Sequence, residues 1–147
     1  MIAPVRTHQQ AERTWSEQRP ATYEIAVWVV RPLRENEVIE MSVTDNAITR
    51  AASINPGLYR FQQDPPRYDL PPQLASAYTV DGLFGQAERI AQGLGPLHIH
   101  TPDMTHILYD PAYGYPQRIV QNSCIPLLND LPACITRYEV VSFTPGP

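Results

Sequence analysis

Residues 37–54 read EVIEMSVTDNAITRAASI, and this stretch decides the fold class. From Glu37 to Thr44 the apolar Ile39, Met41 and Val43 alternate with Glu40, Ser42 and Thr44, the period-two pattern of a half-buried strand. Asp45-Asn46 follows, and both residue types tolerate the positive φ angles of a two-residue hairpin turn. Ala47 to Ile54 then returns as an antiparallel partner, so the organising element is a hairpin within an antiparallel sheet.

Working upstream, Tyr23 to Val30 carries apolar groups on both faces: Tyr23, Ile25, Val27 and Val29 on one, Ala26, Trp28 and Val30 on the other. Such a strand belongs at the centre of a sheet covered on both sides. Residues 8–18, HQQAERTWSEQ, favour a short helix that Pro20 cannot continue, with Trp15 packing on the domain. Downstream, residues 55–78 carry Pro56, Pro65, Pro66, Pro71 and Pro72 without a steady period and read as an inserted loop.

Thr79 to Leu94 has the spacing of a long amphipathic helix, with Val80, Leu83, Phe84, Ala87, Ala91 and Leu94 on one face and Thr79 as N-cap. Gly82 and Gly85 interrupt it, and close backbone packing on the sheet would explain both. Leu97 to His100 reads as a short extended piece, and strands are expected over Thr105–Tyr109, Gln117–Gln121 and Ile135–Phe143. The expected fold is therefore α+β in one domain, residues 1–147. An antiparallel sheet of five to six strands carries one long helix on a face, a short N-terminal helix and a tail at 144–147.

Composition narrows the function classes. A net charge of -4 with no basic stripe disfavours nucleic acid. No apolar run reaches the ~18 residues of a membrane helix, and residues 1–19 lack the apolar stretch of a signal peptide. All 11 basic residues are arginine, and there are 16 prolines. A GC-rich genome produces both biases unselected; stiff loops and guanidinium contacts are the selected alternative.

No nucleophile elbow, phosphate loop or zincin motif occurs, so no catalytic residue is assigned. Cys124 and Cys134, an even pair flanking a short segment, suit a disulfide rather than a four-ligand zinc site. His98, His100, Asp103 and His106 offer three nitrogens and a carboxylate for Zn²⁺ or Cu²⁺, unless they simply line a solvated loop. In the proline-rich loop, Tyr59, Arg60, Phe61, Arg67 and Tyr68 are residue types enriched at binding hot spots, on a backbone biased to polyproline II. The alternative is a loop lying on its own domain. The turn at Asp110, Gly114, Tyr115 and Pro116 reads as structural, with Gly114 supplying positive φ.

Several of these pieces together resemble a known family. They are Trp15 with Tyr23, Val43-Thr44-Asp45-Asn46, Thr79-Val80-Asp81-Gly82-Leu83-Phe84, Tyr109-Asp110-Pro111-Ala112-Tyr113-Gly114-Tyr115-Pro116 and Tyr138-Glu139-Val140-Val141. Over roughly residues 13–143 the chain is similar to the bacterial domain-of-unknown-function family 6174, whose members are lipoproteins without an established activity. Those members carry an export leader with a lipid-attachment cysteine, which residues 1–19 do not contain, and the proline-rich loop looks like an insertion. The resemblance implies a cell-envelope or extracellular setting, with the cytoplasm as the alternative, and that setting favours the Cys124–Cys134 disulfide. The expectation is a non-enzymatic interaction or scaffold protein, an accessory subunit with protein partners. A small metal- or ligand-binding envelope protein using the histidine cluster is the alternative.

Overall fold

The computed structural model describes residues 7–31, 34–91, 105–122 and 135–146. Cys124, Cys134, His98, His100 and Asp103 lie outside them.

Chain order is α1 (His8–Gln18), β1 (Thr22–Val30), β2 (Glu37–Thr44), β3 (Ala47–Ile54), α2 (Pro56–Phe61), β4 (Tyr68–Asp69) and α3 (Pro72–Ala75). A 3-10 turn (Ser76–Tyr78), α4 (Val80–Ala91), β5 (Thr105–Tyr109), β6 (Pro116–Asn122) and β7 (Ile135–Pro145) complete it. The strands form one sheet in the order β4-β3-β2-β1-β7-β6-β5, each neighbour antiparallel.

The doubly apolar β1 does sit at the centre. Its inner face, Tyr23, Ile25, Val27 and Val29, joins Ile39, Met41, Val43, Ile119, Tyr138 and Val140 in the main core beneath α1 and α4. Each such side chain taken out of water contributes about 1.5–3 kcal/mol. On the outer face Ala26, Val38 and Ile54 make a second, smaller core with Trp28, Tyr59 and Val141. The β2–β3 turn has φ 49° at Asp45 and 68° at Asn46, the double left-handed turn that matches strand twist.

The fold expectation needs correcting. Seven strands replace five to six, and the molecule is mostly antiparallel sheet with only short helices. No long amphipathic helix is present among the described residues: α1 has 11 residues and α4 has 12. α4 buries Val80, Leu83, Phe84, Ala87 and also Ile90, and Thr79 caps it by accepting from the Gly82 N–H at 3.0 Å.

Residues 55–78 are not an irregular loop either. They carry α2, β4, α3 and the 3-10 turn: Pro56 and Pro72 start helices and Pro71 flanks one, while Pro65 and Pro66 fall in the connection between α2 and β4. Pro56 and Pro72 occupy first-turn positions where a missing N–H costs nothing. The last strand also runs beyond Phe143: Thr144 pairs with Glu24, Pro145 with Tyr23, and the Gly146 N–H donates to Thr22 O at 2.6 Å. Residues 144–146 are therefore tied to β1 rather than forming a loose tail.

Candidate functional site

α2 is set by its cap. The Asn55 side chain accepts from the Gly57 N–H at 2.9 Å, and Pro56 opens the helix. Six residues then lay one side of the helix on the outer sheet face. Tyr59 packs there, half-buried, with its hydroxyl 3.3 Å from Ser142 Oγ.

Between α2 and the sheet runs a groove of about 270 Å³ lined by Trp28, Val38, Pro56, Tyr59, Phe61 and Val141, with Arg60 beside them. A β-bulge shapes its far wall: Val27 pairs with Val140 and Ala26 with Ser142, leaving Val141 as the extra residue. Two guanidinium groups bracket the indole of Trp28, Arg60 at 5.7 Å and Arg137 at 5.3 Å from the ring centroid. Both lie within cation–π range. The Trp28 Nε1–H is buried without a hydrogen-bond partner among the described residues.

Electrostatically the two arginines differ. Arg137 donates to Glu139 at 2.6 Å, and Arg118 donates to the same carboxylate at 3.0 Å. Burial alone would raise the Glu139 carboxyl, but these two hydrogen bonds outweigh it and hold the group below its ordinary range. Arg60 has no carboxylate partner among the described residues. Phe61, at the last position of α2, is 86% exposed.

Of the five residues expected to bind a partner, the structure brings Tyr59, Arg60 and Phe61 to this groove. Arg67 is held elsewhere, with Nε 3.0 Å from Glu40 and Nη1 2.6 Å from Asp64. Tyr68 is exposed but belongs to β4, opposite Ser53. Trp28, Arg137 and Val141 were not expected at a site. Trp28 on the second apolar face of β1 was the available signal; the bulge that presents Val141 has none.

Of the expected metal ligands, only His106 is described. It is exposed on the outer face of β5, opposite Val120. The Asp110 turn is structural in its bonding. Asp110 Oδ2 accepts from the Ala112 and Tyr113 N–H groups at 3.0 and 2.7 Å, and Gly114 has φ 85°. A Cβ on Gly114 would meet Ala11 O at 2.5 Å, so the turn must pass close under α1. Tyr115 is buried there against Phe143, with ring centroids 4.6 Å apart.

Comparison with family models, with curated proteins and with solved structures gives no match. No helix among the described residues is long and apolar enough to cross a membrane.

Proposed function

We propose that this chain is a non-enzymatic interaction protein, an accessory subunit of a cell-envelope or extracellular assembly. Its α2 groove receives one large apolar side chain from an acidic segment of a partner protein. The observation that carries the reading is Arg60, unpaired with any described carboxylate, beside an apolar groove whose rim residue Phe61 is 86% exposed. A groove of about 270 Å³ is below the usual 300–1,000 Å³ of small-molecule sites, and suits a single anchoring side chain. A partner carboxylate beside that anchor would pair with Arg60 and form a charge-assisted, bidentate contact. The envelope setting rests on the sequence resemblance.

Panning a displayed random-peptide library against the protein tests this. The expected outcome is enrichment of peptides with an aromatic or branched residue next to Asp or Glu, lost on Arg60→Glu/Phe61→Ser. Both positions are exposed, so that variant should unfold within about 0.5 kcal/mol of the parent. Tyr59→Ser is excluded as a probe because Tyr59 packs on the second core. No enrichment, or equal binding to the double variant, refutes the reading.

A further inference from the structure

At the end of the sheet where β1 leaves and β2 enters lies a pocket of about 360 Å³ that shares no lining residue with the α2 groove. Ser53 of β3 pairs with Tyr68 of β4, which sets both side chains on one face at its wall. Its volume falls within the roughly 300–1,000 Å³ of small-molecule sites. Its chemistry departs from the apolar lining usual there. Two guanidinium groups, Arg31 and Arg34, two carboxylates, Glu35 and Glu37, and two carboxamides, Asn36 and Asn55, surround it.

One wall is fixed before any ligand arrives. Glu37 accepts from Ser53 Oγ at 2.7 Å on one carboxylate oxygen and from Arg31 on the other. Arg31 is itself braced by donating to the Tyr78 hydroxyl at 3.1 Å. Asn55 Oδ1 is engaged by the Gly57 N–H, while its Nδ2 has no hydrogen-bond partner among the described residues. The side chains of Arg34, Glu35 and Asn36 make no ion pair or hydrogen bond among the described residues, so their donors and acceptors face water.

The charges of the lining cancel, two arginines against two glutamates, so an ion would meet like charge as often as opposite charge. A neutral ligand rich in hydroxyl groups is served better. Each hydroxyl donates once and accepts twice, and adjacent hydroxyls match the paired atoms of a planar carboxylate, carboxamide or guanidinium. Tyr68 adds an aromatic ring to the same wall, 70% exposed on a two-residue terminal strand. The negative face of such a ring attracts polarised C–H bonds, which a sugar ring presents between its hydroxyls. We propose that this pocket binds a neutral saccharide, one sugar ring stacked on Tyr68 and its hydroxyls held by Asn36, Asn55 and the Arg31–Glu37 pair. This second site is independent of the α2 groove.

A glycan array of neutral, carboxylated and sulfated oligosaccharides, followed by calorimetry with the neutral glycan retained best, tests this on the full chain. Neutral glycans should be retained, and Tyr68→Phe should bind them within about twofold of the parent, because the ring face remains. Tyr68→Ala and Asn36→Ala should each weaken binding about tenfold. Both positions are exposed, so the urea midpoint should not move. Arg60→Glu/Phe61→Ser, which disables only the α2 groove, should bind the glycan as the parent does, so the two sites stand or fall separately. No glycan retained, a preference for acidic glycans, affinity unchanged in either alanine variant, or loss of binding in Arg60→Glu/Phe61→Ser overturns the proposal.

Discussion

Gly82 and Gly85 are three residues apart in one helix, yet Ala substitution at the two should move stability in opposite directions. A Cβ on Gly82 would stand 2.2 Å from Ser76 O, 2.5 Å from Ala77 C and 2.7 Å from Ala77 O. These are backbone atoms of the 3-10 turn that carries the buried Tyr78, so relief requires the turn to move by about 1 Å. Overpacking of this kind costs about 1–3 kcal/mol, and the intrinsic helical advantage of Ala returns no more than about 1. With backbone rather than side chain in the way, the net loss for Gly82→Ala should be ~2 kcal/mol. A Cβ on Gly85 meets nothing within 4 Å, so Gly85→Ala should gain about 0.5–1 kcal/mol. At about 3 °C per kcal/mol for a chain of this size, the melting temperatures should fall by ~6 °C and rise by ~1.5–3 °C respectively. Urea unfolding followed by far-ultraviolet circular dichroism measures both, with the slope checked for constancy. Shifts of the same sign in the two variants would refute the placement of α4 against the 3-10 turn.

Gln121 and Thr136 face one another across β6 and β7, 1% and 0% exposed, with Gln121 Oε1 and Nε2 and Thr136 Oγ1 all lacking hydrogen-bond partners among the described residues. Gln121→Met and Thr136→Val should each stabilise the protein by about 1 kcal/mol in the same urea assay, and destabilisation would mean that these groups have partners in solution. On the alkaline side, burial leads the causes that push Tyr109, Tyr115 and Tyr138 up to about 12 from an ordinary value of 10.0. Raised pKa values in the folded state make this contribution to stability fully present below pH 10 and lost as pH rises from 10 toward 12. Absorbance titration of the phenols should show a late step near pH 12 that merges with unfolding; complete phenol ionisation by pH 11 in folded protein would contradict the burial.

Where a pattern depends only on neighbours in sequence, the chain announced its structure. The alternation in residues 37–44, the Asp45-Asn46 turn, the double apolar face of β1 and the extent of α1 all follow from periodicity, turn chemistry and helix breakers acting over a few residues. The proline-rich segment was misread because proline only forbids: it rules out helix interiors but does not say whether a first turn follows, and α2 and α3 exist because the outer sheet face and the 3-10 turn give them something to pack on. The two glycines of α4 looked alike in sequence and differ in structure, since only Gly82 meets another segment's backbone.

The candidate sites divide the same way. Tyr59, Arg60 and Phe61 were legible as interface residues by type. Trp28 with Arg137, 109 residues along the chain, is joined only by tertiary packing. Sequence by itself determined the antiparallel hairpin, the central strand and the inventory of side chains, because these are local or compositional properties. Which strands border one another, which face each helix covers and which charges converge are decided by long-range burial of apolar surface. That burial is a property of the whole sheet and not of any window within it.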